Sequence, residues 1–492
     1  MTNPTDGAVT TTDDCPLTWP EQRRNLILFA CCTGMQYLAA PVLYVGVTQA
    51  SLCEGLGADT RTSNLPATLF FAMTAMPALL AWLSPRVSVL KRNMTICYGV
   101  SSLMLAATAL VLTLPVPSAV KVAMVILQGG VSGAAMPAAI ALLWEVIGRG
   151  SAESRRGLAL SLAFGVGPIL AVLGSLAQTA LLGGDLFGIH FDGIDHRYRF
   201  VTLFGLGAPI MALAAGFSRF FVVAPVSREP EREPLSTVVG LLVGLPLMFA
   251  AVALMQIAAA TEQEAYRYLG YLAAASATTG FVWHFRAILQ QRVLLCATIV
   301  TILVYAGNMI PSNMNLYSRE VLGIAADLNA GPQNLLRFAL KAVAGLILGW
   351  LLTRTNPRMG ILATSAILLA SVVWAMLVTG SWYLYAIAIF GAGELVGVYA
   401  PNYIVSSSRP DELRRNMAFV TMLMAPAAPA GYLYGTVVDL AKSNEWTAFG
   451  LTSEAFGFRL SFFVCALFIA AGIAVALLWL PARPKPCRIA PE

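Results

Sequence analysis

One stretch of this chain places amide and ionisable side chains where almost everything around them is apolar. Gln333, Asn334, Arg337 and Lys341 interrupt a long run of Leu, Ala, Val, Ile and Gly. Arg337 and Lys341 are four residues apart, so on a helix they share one face. A cation near the middle of a bilayer is unfavourable by about 2.5–3.5 kcal/mol on insertion scales, so two on one face need a specific partner. An acid is available, because Glu394 lies within another apolar run, away from its ends. Two readings follow. The cations attract a carboxylate, phosphate or sulfate group of a substrate, or they form a structural salt bridge to Glu394. One acid does not neutralise two cations, and that surplus favours an anionic substrate. At 1.5 Å per residue, Arg337 lies roughly 7 Å and Lys341 roughly 13 Å from the helix end. Burial and a neighbouring lysine act oppositely on a carboxyl group, which makes Glu394 the candidate for coupling protons to movement.

Other polar residues sit inside apolar runs: Gln36, Tyr37, Gln128, Tyr305, Asn308, Ser312 and Asn313. Each taken singly reads as an interhelical hydrogen bond, worth under about 1 kcal/mol; as a set they read as the wall of a substrate cavity. Catalytic chemistry finds no support. The histidines at 190, 196 and 284 cannot form a His-Glu-x-x-His zinc motif. No lysine follows a glycine, so a phosphate-binding loop for ATP is absent, and there is no Gly-x-Ser-x-Gly elbow. The loop with Asp185, His190, Asp192, Asp195 and His196 is ordinary turn material rather than a metal site. The 8 cysteines form no Cys-x-x-Cys pair and read as packing residues. No metal and no cofactor are expected.

The elements that must position these residues follow from composition. Of 492 residues, 58% are hydrophobic and 11% charged, far below the roughly 25% charged residues of soluble domains. A bilayer core needs about 20 apolar residues per helical crossing. Such windows recur at 25–48, 64–83, 94–113, 119–147, 156–182 and 199–223, then at 236–259 and 266–284. Six more follow at 294–318, 332–353, 359–379, 382–405, 416–438 and 459–481. That pattern predicts fourteen spans: spans 1–12 plus a linker pair after span 6. With both ends inside, most of the 31 Lys and Arg fall in cytoplasmic segments, as the positive-inside rule requires. The outer segments hold Arg61, Lys121, Arg197, Arg199, Arg267, Arg319, Lys442 and Arg459. The net charge of +6 is explained by this edge anchoring, so no nucleic-acid partner is expected. The polar first 24 residues predict a cytoplasmic tail and no cleavable signal peptide.

The halves repeat. Trp82-Leu83-Ser84-Pro85-Arg86 pairs with Trp350-Leu351-Leu352-Thr353-Arg354, and Glu54-Gly55-Leu56-Gly57 pairs with Glu320-Val321-Leu322-Gly323. Glu153-Ser154-Arg155-Arg156 pairs with Glu412-Leu413-Arg414-Arg415, all at similar offsets and equivalent helix ends. Spans 4 and 10 each carry a small-xxx-small pair, Gly129/Gly133 and Gly393/Gly397, suited to close packing. Pro41, Pro137, Pro168, Pro311, Pro401 and Pro426 are expected to kink or open helices.

In topology and symmetry the chain resembles the major facilitator superfamily across nearly all its length, in the subset with two helices between the six-helix halves. The motif after span 2 survives as Ala81-Trp82-Leu83-Ser84-Pro85-Arg86 followed by Lys91-Arg92, with Pro85 where the family has an acid. Gln128-Gly129 in span 4 and Gly165-Val166-Gly167-Pro168 in span 5 match family signatures in part. The resemblance implies a cytoplasmic gate at Arg86, Glu145, Arg155, Arg156 and Arg354, with Arg86 pairing to Glu145. It also implies that the spans bearing Gln36, Tyr37, Gln128, Tyr305, Asn308 and Asn313 line a cavity, which with the residues read above gives an expected site of these six, Arg337 and Lys341, and Glu394 for proton coupling.

The expected fold class is therefore an all-α polytopic membrane protein of two six-helix bundles in pseudo-two-fold repeat plus two linker helices. The expected segments are a tail at 1–24, bundles at 25–223 and 294–481, a linker at 224–293 and a tail at 482–492. The expected function is secondary active transport of a small solute by a monomer in the plasma (inner) membrane, with an organic anion favoured. Efflux of amphipathic compounds is the alternative within transport, and a sensor or channel is the alternative outside it. The peptide-carrier subset is disfavoured, because span 1 carries no charge and lacks that subset's Glu-x-x-Glu-Arg cluster.

Overall fold

The structure is a computed structural model describing residues 17–43, 46–150, 167–186, 189–190, 196–223, 238–261, 263–284, 286–406 and 422–484. Apart from a short hairpin, β1 (Asp185–Leu186) against β2 (Ile189–His190), the regular structure of the described residues is helical. Among the described residues nine helices are long and apolar enough to cross a membrane. The remaining expected windows are helical where described, but several fail that measure for a local reason. α1 (Trp19–Leu38) opens with Glu21, Arg23 and Arg24. The window at 416–438 is broken between α20 (Met424–Ala427) and α21 (Pro429–Ser443), and α16 (Ala326–Arg354) carries the polar quartet. Leu103, Leu346, Leu377 and Leu478 are 70–74% exposed on the helical exterior, which is where a polytopic fold meets hydrocarbon.

α1, α2 (Ala40–Leu43), α3 (Val47–Gly55), α4 (Thr60–Ser63), α5 (Leu65–Ala72) and α6 (Met76–Leu83) lead into α7 (Leu90–Thr113) and α8 (Ser118–Gly150). With α9 (Gly167–Gly183) and α10 (His196–Ser218) they pack on one another, α7 on α8 and α10, and α1 on α9 and α10. α11 (Val239–Thr261) and α12 (Glu264–His284) pack along each other, with α11 against α5. After α13 (Arg286–Leu289), the second set comprises α14 (Arg292–Gly307), α15 (Pro311–Leu322), α16, α17 (Pro357–Leu377), α18 (Leu384–Gly393), α19 (Val396–Ser406), α20, α21 and α22 (Ser453–Trp479). There α16 and α17 pack on α18, and α14 on α22. The two sets meet where α9 lies along α16, α3 meets α15 and α16, and α21 meets α4 and α5.

Glycines set the closest approaches. A Cβ on Gly129 would overlap the Pro66 carbonyl oxygen and one on Gly133 that of Phe70, so the expected pair brings α8 into backbone contact with α5. In the second set the tight positions are Gly391, whose Cβ would overlap the Arg337 carbonyl oxygen, and Gly393, whose Cβ would lie 2.8 Å from Leu368 Cα. Gly397 has only Met424 at 4.0 Å, so the expected Gly393/Gly397 pair is corrected to Gly391/Gly393. Of the prolines, Pro311 restarts the chain as α15 after a break at 308–310, and Pro137 sits inside an unbroken α8.

Candidate functional site

The site begins with two helix irregularities. Pro332 lies inside α16 and lacks the N–H that would bond back one turn, so the hydrogen-bond ladder is interrupted just before Gln333. α18 ends at Gly393, and Glu394 occupies the turn before α19, with its N–H on the Phe390 carbonyl at 2.9 Å and its own carbonyl accepting from Gly397 at 2.9 Å. Gly391 lets α18 press onto the Arg337 backbone. That contact carries Glu394, nearly one turn on, to the cations.

Arg337 Nε donates to Glu394 Oε2 at 3.0 Å, Arg337 Nη2 donates to Glu394 Oε1, and Lys341 Nζ donates to Glu394 Oε2 at 3.3 Å. The Arg337 and Glu394 side chains are 7% and 8% exposed and Lys341 20%, so the arginine–acid pair is the sealed part and the lysine its open edge. The guanidinium also lies over Phe390, 5.4 Å from the ring centroid. Among the described residues nothing partners Arg337 Nη1, which is buried. The cluster carries two positive charges and one negative, in surroundings from which water is largely excluded.

The other expected cavity residues divide. Tyr37 lies within electrostatic reach of Glu394, and its ring fills the place a Cβ on Gly167 would take. Gln36 donates to Tyr98 Oη at 2.6 Å, and Gln128 donates to the Val42 carbonyl at 3.0 Å and to Ser132 Oγ at 3.1 Å. Asn313 accepts from Asn64 at 2.7 Å and donates to Ser461 Oγ at 3.1 Å. Gln36, Gln128 and Asn313 therefore use these bonds to hold helices together. Tyr305 is buried, and Asn308, at the break before α15, has a side-chain oxygen with no partner among the described residues. Among the gate residues, Glu145 pairs with Arg149 at 2.8 Å rather than with Arg86, because one helical turn separates Glu145 from Arg149 while Arg86 stands exposed beyond α6. Arg354 ends α16, and Arg155 and Arg156 lie outside the described residues.

A second charged layer, unforeseen from the residues, closes the face bearing Arg319. Arg319 of α15 reaches Glu54 of α3 at 2.8 Å and Glu454 of α22 at 2.6 Å, and Lys442 joins Glu454 at 3.1 Å. Arg61 pairs with Asp59 at 3.0 Å, and its backbone N–H donates to Asp439 of α21 at 2.9 Å. A Cβ on Gly435 would lie 2.7 Å from Arg61 Cα, so here too backbones touch. Neutral bonds continue inward: Asn315 donates to Ser51 at 2.6 Å, and Asn334 to Gln178 at 2.9 Å. Burial pushes the Glu54 carboxyl above its usual range, Arg319 opposing only in part. Burial and then the Asp59 charge raise Asp439. Burial would raise Asp59 as well, but hydrogen bonds from Thr62 and Arg61 outweigh it and leave that carboxyl low. The sequence signals for this layer were the repeat match at Glu54 and Glu320 and the assignment of Arg61, Arg319 and Lys442 to outer segments, neither of which shows that these charges pair.

A family model described as Major Facilitator Superfamily matches residues 26–432. The chain belongs to that superfamily. Solved structures agree on the superfamily fold. A mutant form of the nucleoside transporter NupG shares 11% identity, with 93% of this chain and 100% of that chain covered at a TM-score of 0.61. An auto-inhibited POT family peptide transporter shares 14% identity over 94% and 99% of the two chains, with a TM-score of 0.64. A POT family transporter in complex with 5-aminolevulinic acid shares 15% over 92% and 96%, also at 0.64. No curated protein gives a significant sequence match. As a superfamily member with apolar helices of spanning length, the chain is a multi-pass integral membrane transporter.

Proposed function

We propose that this transporter is a secondary active carrier of a small organic anion, working as a monomer by alternating access, with Arg337 and Lys341 as the anion site and Glu394 as its proton-linked counter-ion. The observation that carries the reading is the convergence of two cations on one buried carboxylate, with Arg337 Nη1 left over among the described residues. Protonation of Glu394 releases both cations, and a substrate carboxylate takes its place. Residues 25–223 then rock against 294–481 across the contacts of α9 with α16 and of α21 with α5. Residues 224–293 contribute the linker pair, giving fourteen spans in the plasma (inner) membrane with both ends cytoplasmic. In that orientation the Arg319 layer faces outward and is shut.

The test is a thermal-shift screen of purified protein against small organic anions and amphipathic cations, repeated on Lys341→Ala, since a ligand that binds only the folded state raises its melting temperature. Stabilisation by an anion that disappears in Lys341→Ala supports the reading. Stabilisation by amphipathic cations, or by anions indifferent to the substitution, overturns it in favour of efflux. Binding without counterflow exchange in proteoliposomes moves the protein to the sensor class.

A further inference from the structure

We infer that the ligand of this site is an acid that also carries a ring amide, a small carboxylate whose lactam or pyrimidine-like edge is read by Gln333. The inference rests on the anion reading above and adds a second group to the same ligand. Gln333 is fully buried, and among the described residues neither its side-chain oxygen nor its nitrogen has a hydrogen-bond partner. Exchanging the two amide atoms changes nothing, since both are free. One turn along the same face of α16, Nη1 of Arg337 is also buried and unpartnered among those residues, while Glu394 holds the rest of the guanidinium. The neighbouring Asn334 is half satisfied: its oxygen too has no partner among the described residues, but its nitrogen donates to Gln178 at 2.9 Å, and Gln178 donates to Thr48 Oγ1 at 2.9 Å. Gln333 takes no part in that cross-set chain.

Burying an amide with both ends unpaired is strongly unfavourable, and such groups in folded chains call for a specific explanation. A side-chain amide presents its N–H and C=O side by side, so one group that completes both must do the same, as a nucleobase edge does toward Gln or Asn. A trans peptide bond holds its N–H and C=O on opposite sides and does not fit. A ring amide, locked cis, does. Side chains at i and i+4 start about 5–6 Å apart, which suits a six-membered ring bearing both the amide edge and a carboxylate. Because Asn334 bridges the two helix sets, closing that face buries Gln333 next to it. A loaded ring amide satisfies Gln333 as the face closes, whereas an empty carrier leaves it orphaned, so loading favours closure.

The probes are orotate (uracil-6-carboxylate), benzoate as an acid without the edge, and uracil as the edge without the acid. Affinity by equilibrium dialysis and melting temperature are measured on the purified full-length protein and on Gln333→Leu, Gln333→Met and Lys341→Ala. Orotate is expected to bind wild type at least about tenfold more tightly than benzoate. Both Gln333 variants should bring that ratio to about one while raising the unliganded melting temperature, because a buried orphan has been removed. Equal binding of the two acids to wild type, or a lower unliganded melting temperature in both Gln333 variants with the ratio unchanged, overturns the ring-amide inference. If Lys341→Ala still weakens both acids in that case, the anion reading stands alone. Binding of uracil without either acid, or of none of the three, overturns the ring-amide inference and leaves the anion reading to the wider screen above.

Discussion

Glu394 serves two cations at once, so its removal leaves both without their partner. Breaking a buried ion pair from one side is unfavourable by about 3–5 kcal/mol. Glu394→Gln should therefore lower the melting temperature of the empty protein, and an added organic anion should restore more of it than the same anion gains in wild type. The same variant should lose pH-driven uptake in proteoliposomes and keep counterflow exchange, since the anion site survives while the proton-linked group does not. Loss of exchange together with uptake, or no rescue by anions, would make the cluster purely structural. The three members of this cluster were legible as outliers in apolar runs. Which of the other polar residues were already satisfied was not legible. Gln36, Gln128 and Asn313 use their amides on Tyr98, Val42 and Asn64, partners 62, 86 and 249 residues away that only packing supplies.

At the scale of the element, α16 and α18 act through the place where they touch. Gly391→Leu puts atoms where the Arg337 carbonyl oxygen lies, and overpacking of this kind is unfavourable by about 1–3 kcal/mol. We expect it to push Glu394 off Arg337 and to abolish anion-dependent stabilisation. Gly397→Ala, with its nearest neighbour at 4.0 Å, should leave both stability and binding near wild type. Equal effects of the two substitutions on the thermal shift would refute the role assigned to Gly391. The sequence marked span 10 as closely packed through small residues, but spacing alone favoured Gly393/Gly397. The rotation of α18 about its axis, ended by the turn at Glu394, selects Gly391 instead.

For the whole molecule, the Arg319 layer is the part that must open. Glu54 faces Arg319, Glu454, Lys442 and Asp327, and Asp439 faces Asp59 and Arg61. Both carboxyls lie above their ordinary values when the face is shut, so the closed form binds more protons than an open form in which they are hydrated. Closure should thus strengthen as pH falls from neutral toward about 4–5, and weaken as pH rises through the raised values. Asp59, held low, acts in the opposite sense only below the ordinary carboxyl range and does not cancel this. Spin-label distances across the α4–α21 contact, followed from about pH 7.5 to about pH 5, should shorten in population average; lengthening, or no change, refutes the assignment. Gly435→Leu, which inserts a side chain where Arg61 Cα lies 2.7 Å from a Cβ, should hold the same distance long at every pH.

By itself the sequence determined the solvent and the class of the protein. A composition of 58% hydrophobic residues, apolar windows of bilayer length and a repeated set of helix ends suffice, because each is a local property of the chain and the membrane demands it of every span. It also marked Arg337, Lys341 and Glu394, because an ionisable group in an apolar run is conspicuous whatever the fold. Only the tertiary structure decided that the three meet, that both amide atoms of Gln333 are left unpaired among the described residues while the Asn334 nitrogen reaches Gln178, and that Glu54, Arg319, Glu454, Asp59, Arg61 and Asp439 join the two helix sets. Those residues lie at helix ends, where charge is ordinary, and their partners are set by how helices far apart in sequence come to lie side by side.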